Sequence, residues 1–172
     1  MSVGKALLTI VNCRIYIKKA SVELQERFGI VEGGEVNPII ALYLLNKKMA
    51  DIVDDNGRIV DVSKLIECFD KPIYSTLFFV VQDLIKRGKK IAFGETDNEL
   101  IITSENTLVY VMDEDSTIKA IDLYNIVDRA IKQGYRFLIA VVDMHGDVTY
   151  YEASKMVFPK IERREMYNER AL

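Results

Sequence analysis

A run of six apolar residues near the C-terminal end, followed directly by a turn, most constrains the fold of this chain. The run at residues 137–142, FLIAVV, is too short to cross a membrane and too rich in β-branched residues to favour a helix. Such a run is typical of a strand that is buried on both faces. Residues 143–147, DMHGD, favour a turn, and residues 148–151, VTYY, resume in strand-forming residues. The stretch therefore predicts a hairpin from the centre of a sheet to a neighbouring strand.

The first 71 residues predict a compact α+β unit. Two short β-branched runs, at residues 6–10 and 14–17, predict a pair of strands. An Asn-Gly pair within residues 52–60 predicts a further hairpin. Three helices are predicted from apolar spacing and capping residues, among them Ser21, Gly29 and Asn37-Pro38, at residues 22–28, 38–47 and 63–69.

Residues 72–172 predict a second domain, so the chain as a whole is expected to be an α/β protein with a boundary at residue 72. A long amphipathic helix is expected between Pro72 and Gly88. The remaining strand candidates are at residues 91–93, 100–103, 108–112, 137–142, 148–151 and 156–158. A second helix is expected at residues 117–133, with its inward face formed by Ile118, Ile121, Ile126, Val127, Ala130 and Ile131.

The bulk composition is that of an ordinary soluble protein. The chain has 172 residues, a net charge of −3 and a hydrophobic content of 49%. It lacks the global basic charge that is typical of nucleic-acid binders, so contact with RNA would need local basic patches or a partner subunit. Nowhere do 18 apolar residues run together, and the N-terminus lacks the pattern of a signal peptide. We expect no membrane association and a cytoplasmic location.

Cys13 and Cys68 are too few and too far apart in sequence for a disulfide scaffold or a zinc site. The sequence alone suggests that both are small buried hydrophobic residues. No motif for binding a cofactor is present, so we expect neither a cofactor nor a metal.

Residues capable of catalysis are sparse. His145, which is the only histidine, lies in a predicted turn, where a solvated residue is expected more often than a general acid or a metal ligand. A metal-dependent nuclease site could be built from Asp83, Glu95 and Asp97, but Glu99 is not followed by the lysine that such sites use.

Two clusters of charge have alternative interpretations. The basic residues around Gly88, at positions 86–90, either respond to the dipole of a helix C-terminus or bind phosphate. The acidic residues Asp113, Glu114 and Asp115 precede a predicted helix, where Asp115 or Ser116 would serve as the N-cap. Three consecutive acids exceed that need, and a protruding acidic loop could instead dock into a basic pocket of another subunit.

Three motifs together resemble one family. Residues 138–156, LIAVVDMHGDVTYYEASKM, resemble the C-terminal signature of the archaeal tRNA-splicing endonucleases. Residues 81–88, VQDLIKRG, resemble a segment that closes a helix in that family. Residues 28–33, FGIVEG, and 41–44, ALYL, resemble its N-terminal domain. The resemblance implies an N-terminal α+β domain, a C-terminal α/β domain with a nuclease-like mixed sheet, and metal-free cleavage of precursor tRNA at bulge-helix-bulge junctions by a Tyr, His and Lys triad.

The chain departs from this pattern at all three catalytic positions. The histidine position holds Asn106 or, with a slip of one residue, Glu105, and the lysine position holds Tyr135 and Arg136. The tyrosine should fall near residues 100–103, yet none occurs between Tyr74 and Tyr110. The resemblance therefore implies a chain without catalytic residues. It would be the structural subunit that joins a catalytic subunit in a tetramer of two heterodimers acting on precursor tRNA.

The resemblance also implies two surfaces for assembly. Asp113, Glu114 and Asp115 would insert into a pocket of a subunit in the other dimer, with Glu114 and Asp115 as the main contacts. The interface within a dimer would include Tyr150, Tyr151, Val157 and Phe158. A metal-dependent nuclease and a stand-alone RNA-binding module of the same fold remain the alternatives.

Overall fold

A computed structural model describes residues 5–156, which form two β-sheets and five helices. Both sheets mix parallel and antiparallel pairs, which confirms the predicted α/β class. No helix among the described residues has the length and apolar character that a membrane crossing requires.

The first sheet has three strands in the order β2-β1-β3. Strand β1 pairs antiparallel with β2 and parallel with β3. The turn between β1 and β2 places Asn12 and Cys13 at φ values of 50° and 59°, which suits a tight hairpin and confirms the predicted pair of strands. The strands are β1 Ala6–Val11, β2 Arg14–Lys19 and β3 Ala50–Val53.

Three helices pack around this sheet, and capping residues set where two of them begin. Ser21 accepts a hydrogen bond from the backbone N–H of Leu24, and Asn37 accepts one from that of Ile39. The predicted second strand after the Asn-Gly turn is reduced to a single bridge between Val53 and Ile59. The helices are α1 Val22–Phe28, α2 Pro38–Asn46 and α3 Val62–Ile66.

The prediction of two unpaired, buried cysteines was wrong. Cys13 and Cys68 form a disulfide with their Cα atoms 5.3 Å apart, and Cys13 is exposed. The two residues are 55 positions apart in sequence, but the fold brings the β1–β2 turn next to the segment that follows α3. Separation along the chain is therefore no guide to this pairing.

The second sheet has five strands in the order β4-β5-β6-β7-β8. Strands β6 and β7 are parallel, and every other neighbouring pair is antiparallel. The predicted hairpin of β7 and β8 is confirmed, but β7 lies next to the edge strand and β6 occupies the centre. The strands are β4 Ile91–Phe93, β5 Glu99–Ile102, β6 Thr107–Asp113, β7 Arg136–Val142 and β8 Val148–Glu152.

Helices α4, Ile73–Lys86, and α5, Ala120–Lys132, cover opposite faces of this sheet. Alternate residues of β6 show the arrangement, because Val109 joins the cluster that contains α4 and Leu108 joins the cluster that contains α5. Helix α5 begins three residues later than predicted. Its predicted inward face was partly wrong, because Ile121 is 62% exposed and Ile131 is 44% exposed.

The two halves of the chain share a hydrophobic core. Helix α2 packs against α4, and buried residues from both sheets belong to the same cluster. The predicted boundary between residues 71 and 72 coincides with the start of α4 and stays a prediction.

Candidate functional site

The three positions at which the family resemblance expects catalytic residues meet where β5 ends and β6 and β7 begin. This end of the five-stranded sheet is called the triad edge. Ile102, at the end of β5, pairs with Thr107 of β6, and Thr107 pairs with Arg136 of β7. The backbone N–H of Arg136 also donates a 2.9 Å hydrogen bond to the carbonyl oxygen of Asn106. Arg136 is thus brought beside the β5–β6 turn, from which it is distant in sequence.

Ion pairs occupy this edge. The guanidinium group of Arg136 binds the carboxylate of Glu152 through two 2.8 Å hydrogen bonds, from Nε to Oε1 and from Nη2 to Oε2. This contact raises the pKa of Arg136 and holds the pKa of Glu152 below its ordinary value. Lys89 pairs with Glu105. Arg136 and Lys89 are therefore already bound to carboxylates.

The other two predicted positions carry neither an imidazole nor an ammonium group. Asn106 is exposed, with a left-handed φ of 45° in the turn between β5 and β6. Tyr135 is partly buried against the cluster of α5. His145 is exposed in the β7–β8 turn, at the other end of β7, which is about 20 Å away for a seven-residue strand. It therefore lies too far away to replace a missing acid or base at this edge.

The acidic loop lies at that opposite end, against the β7–β8 turn. The backbone N–H of Glu114 donates a 2.9 Å hydrogen bond to the carbonyl of Val142, and its carboxylate accepts a 2.8 Å bond from the N–H of Met144. Asp113 accepts a 2.6 Å bond from the hydroxyl of Thr76 on α4. The Asp115 side chain has no hydrogen-bond or ion-pair partner within residues 5–156. Of the three acids, Asp115 is the one whose carboxylate faces solvent without an internal partner.

The alternative role of this loop as a helix cap was wrong. Helix α5 begins at Ala120 with Lys119 in the N-cap position, and no side chain caps it. Asp115 and Ser116 are exposed in the loop, several residues before the helix. The loop is instead held by the neighbouring turn, whose own Asp143 accepts hydrogen bonds from the N–H groups of Asp147 and His145. Those bonds hold the pKa of Asp143 below its ordinary value.

Close packing fixes the position of the β7–β8 turn on α4. Gly146 has a φ of +83°, and a Cβ atom at this position would lie 2.6 Å from Cε1 of Phe79. Only glycine fits both the left-handed conformation and the contact with the ring. The backbone conformation and the contact with Phe79 therefore explain why glycine occupies position 146 of the signature motif.

The two tyrosines of β8 point to different surroundings. The Tyr150 hydroxyl donates a 2.8 Å hydrogen bond to Asp83 of α4, and burial together with this carboxylate raises the pKa of Tyr150. Tyr151 is 56% exposed. Val157 and Phe158, also predicted at the interface, lie outside the described residues, as does most of the predicted last strand at 156–158.

The carboxylates proposed for a metal site contact separate cations. Asp83 accepts a hydrogen bond from Nε of Arg87 at 2.7 Å, Glu95 lies 3.0 Å from Nη1 of Arg129, and Asp97 lies 2.6 Å from Nζ of Lys71. Within residues 5–156, no three acidic, histidine or cysteine side chains are grouped so as to hold a metal ion.

A buried ion pair lies nearby and was not predicted. Glu99 is 1% exposed and pairs with Arg129 of α5. Burial opposes ionisation of Glu99, but hydrogen bonds from Arg129 and Thr96 outweigh it and hold the pKa of the carboxyl below its ordinary value. The pair joins α5 to β5 and so fixes the helix on the sheet.

Sequence reasoning also missed a basic groove at the C-terminal ends of α1, α2 and α4. It is lined by Arg27, Lys47 and Lys86, with Phe79 and Tyr43 among its apolar residues. Of these three cations, only Lys86 belongs to the basic cluster at positions 86–90. The available signal was a cation at or next to the end of each predicted helix, but nothing in the sequence says that these three ends meet.

Comparison of the sequence with protein-family models and with curated proteins found no match.

Proposed function

We propose that this chain is the structural, triad-lacking subunit of a heterotetrameric tRNA-splicing endonuclease, which cleaves precursor tRNA at bulge-helix-bulge junctions. The observation that carries the proposal is the meeting of the three expected catalytic positions at one sheet edge. These positions were taken from the resemblance to the family, and the register of β5, β6 and β7 brings them together. Their replacement leaves the chain without the acid, the base and the charge stabiliser of the triad.

The chemistry of the edge supports a role without catalysis. A proton donor must be free to approach the leaving oxygen, and a charge stabiliser must be free to approach the phosphate. Glu152 accepts hydrogen bonds from Nε and Nη2 of Arg136, and Glu105 pairs with Lys89. Cleavage would then be carried out by a partner subunit that holds an intact triad.

The acidic loop supports a role in assembly. Its backbone and Glu114 are fixed to the β7–β8 turn, and Asp113 is fixed to Thr76, so the loop is held in place before any partner binds. Asp115 is left exposed at the tip. A fixed loop with an unpaired carboxylate suits insertion into a basic pocket, because little conformational entropy is lost on docking.

The edge strand β8 of the five-stranded sheet supports a second contact with a partner. Strand β8 is the last strand in the order and pairs only with β7 among the described residues. An unpaired strand edge readily accepts a strand from another chain. Tyr151, which is exposed on β8, would lie in such an interface, whereas Tyr150 would support it from within through Asp83.

The disulfide bears on location. Disulfides are rare in reducing cytoplasm, but intracellular proteins of hyperthermophilic archaea are rich in them. A cytoplasmic subunit that carries the Cys13–Cys68 bond therefore fits a hyperthermophilic archaeal host.

The test is reconstitution with a subunit from the same genome that carries an intact triad. We expect light scattering to give the mass of two copies of each chain, and precursor tRNA to be cleaved without metal only when both chains are present. Metal-independent cleavage by this chain alone would refute the proposal. Magnesium-dependent cleavage that is lost in Asp97→Ala would favour the metal nuclease, and RNA binding by a chain that stays monomeric beside its partner would favour the stand-alone module.

Variants of the acidic loop test its role in docking. Asp115→Ala should weaken association of the two heterodimers without changing the free energy of unfolding, because its side chain has no partner among the described residues. Glu26→Ala, which removes an exposed acid on α1 in the other half of the chain, is the matched control and should leave assembly unchanged. Equal tetramer dissociation constants for the two variants would exclude Asp115 from the docking contact.

A further inference from the structure

A groove of about 520 Å³ opens where helices α1, α2 and α4 end beside the β7–β8 turn. Arg27 comes from the last turn of α1, Lys47 from the C-cap of α2 and Lys86 from the last turn of α4. All three side chains are exposed. The groove thus gathers cations from three helices in both halves of the chain.

A smaller cleft of about 120 Å³ adjoins the groove. The two share Arg27 and Ile85, and the smaller one is also lined by Lys89 and Lys90. The cations therefore follow one continuous surface that runs from the end of α2, past the end of α4, to the start of β4.

Apart from Lys89, which pairs with Glu105, the cations of this surface have no ion-pair partner among the described residues. Within the described part of the chain, no carboxylate forms an ion pair with Arg27, Lys47, Lys86 or Lys90. Elsewhere, cations such as Lys71, Lys132 and Lys155 are paired. A helix dipole accounts for a cation at the end of any single helix. Within residues 5–156, unpaired cations such as Arg14, Lys18 and Lys64 also lie outside the groove. The dipole of one helix does not explain why the cationic ends of three helices meet around one groove in a chain whose net charge is negative.

The two acids that line the groove do little to neutralise it. Asp83 is held by Arg87 and by the Tyr150 hydroxyl, so its charge is already compensated. Asp147, in the β7–β8 turn, is exposed and offsets only one of the three positive charges. The surface therefore keeps a local excess of positive charge.

Aromatic rings lie beneath the cations. The guanidinium group of Arg27 lies 5.4 Å from the ring centre of Phe28, and Nζ of Lys47 lies 6.0 Å from that of Tyr43. Phe79 lines the groove and is 39% exposed. These contacts orient the cations without neutralising them. Several unpaired cations along one surface, two of them held against aromatic rings, fit a ligand with repeated negative charges, which is the chemistry of a phosphodiester backbone.

We propose that this surface, defined by Arg27, Lys47, Lys86 and Lys90, binds the sugar-phosphate backbone of RNA, so that the subunit holds the body of the precursor tRNA as well as joining the assembly. The proposal rests on the proposed function for the identity of the RNA. The evidence for RNA binding does not depend on the triad edge, the acidic loop or the edge strand β8.

The test measures binding of the full chain, without a partner, to a fluorescently labelled RNA hairpin of arbitrary sequence at several salt concentrations. The variant carries Arg27→Glu, Lys47→Glu and Lys86→Glu. Its control carries Arg14→Glu, Lys18→Glu and Lys64→Glu, which make the same change of charge at exposed positions outside the groove. We expect the groove variant to bind at least about tenfold more weakly. The slope of log Kd against log salt should fall by about one unit for each phosphate group that the variant no longer binds.

The outcomes separate this proposal from the proposed function. Equal weakening of RNA binding in both variants, or no RNA binding by the native chain, would overturn the proposal that the groove binds RNA. This holds even if the tetramer assembles and cleaves. RNA binding that disappears only in the groove variant would support the groove as the RNA-binding surface, even if no tetramer forms. Competition by poly-glutamate at the same charge concentration as RNA, with the same effect of the variants, would overturn it in favour of an acidic protein partner. Circular dichroism and thermal unfolding of both variants would establish that each is folded.

Discussion

The hydroxyl group of Tyr150 donates a 2.8 Å hydrogen bond to Oδ2 of Asp83, and so links strand β8 to helix α4 across 67 positions of sequence. The same oxygen accepts a 2.7 Å bond from Nε of Arg87, whose guanidinium group also lies 5.7 Å from the centre of the Tyr150 ring. The last strand of the sheet is thus fixed to the helix beneath it by a small polar network.

Tyr150→Phe should lower the free energy of unfolding by about 1–2 kcal/mol, because it removes a hydrogen bond to a charged group and keeps the ring. Urea denaturation measures the change. The matched control is Tyr151→Phe, whose hydroxyl belongs to a ring that is 56% exposed and should leave the free energy unchanged within error. Equal losses in the two variants would show that the Tyr150 bond adds nothing to stability.

Gly146→Ala should destabilise the protein more than Gly57→Ala does. Both glycines have φ near +80°, so both substitutions incur the left-handed penalty of about 1–2 kcal/mol. A Cβ at position 57 meets nothing within 4 Å, whereas one at position 146 would collide with Phe79. We expect the collision to cost about 1–3 kcal/mol more, measured by thermal or chemical unfolding.

The collision itself can be isolated with a double variant. In a Phe79→Ala background, Gly146→Ala should cost no more than Gly57→Ala, because the ring that it would meet has been removed. An undiminished cost would mean that the backbone conformation alone requires glycine at position 146.

Arg129→Met should lower the free energy of unfolding by about 2–4 kcal/mol, because it leaves the carboxylate of Glu99 buried without its cation. Lys132→Met is the control on the same helix. It breaks an exposed pair with Asp128, and such pairs contribute little, so stability should be unchanged within error. The double variant Arg129→Met with Glu99→Met should recover much of the loss, since no unpaired charge then remains buried.

The same pair predicts a dependence on pH. The folded-state pKa of Glu99 lies below its ordinary value, so the unfolded chain binds a proton more readily than the folded chain. The stabilisation is therefore complete above the unfolded pKa of about 4.3 and is lost as the pH falls through the lower folded value. Denaturation between about pH 6 and pH 3 should show a shallower fall of stability in Glu99→Gln than in the native chain. Parallel curves would exclude Glu99 from the acid response.

Replacing both cysteines by serine should lower the free energy of unfolding by about 2–4 kcal/mol, because the Cys13–Cys68 bond restricts the unfolded chain. Unfolding in the presence and absence of a reductant measures the effect. The reductant should destabilise the native chain and leave the double variant unchanged. A native chain that is insensitive to reduction would show that the bond contributes no stability.

Local chemistry explains which parts of the fold were predictable. The caps at Ser21 and Asn37 act within three residues, and the β1–β2 turn depends on its own two residues, so each could be recognised in sequence. The β7–β8 hairpin was also recognisable, because its turn and both strands are contiguous.

Features that depend on distant packing were not predictable. Ile121 lies six residues before Val127, about 120° around the helix, and it is exposed because the sheet covers only the face of Val127 and Ala130. The central place of β6 and the buried pair of Glu99 and Arg129 also depend on strand order, which the sequence pattern does not encode. The three positions at the triad edge were predicted only through the resemblance to the family.

The disulfide has a consequence for the integrity of the chain. Residues 14–67 form a covalent ring, closed by the bond between Cys13 and Cys68, and this ring includes β2, β3 and the first three helices. A single proteolytic nick inside the ring, for instance in the glycine-containing loop before α2, would leave both fragments in one molecule until the bond is reduced. Helix α1, which supplies Arg27 to the groove, would thus stay linked through the disulfide to the fragment that carries α2, α4 and the five-stranded sheet.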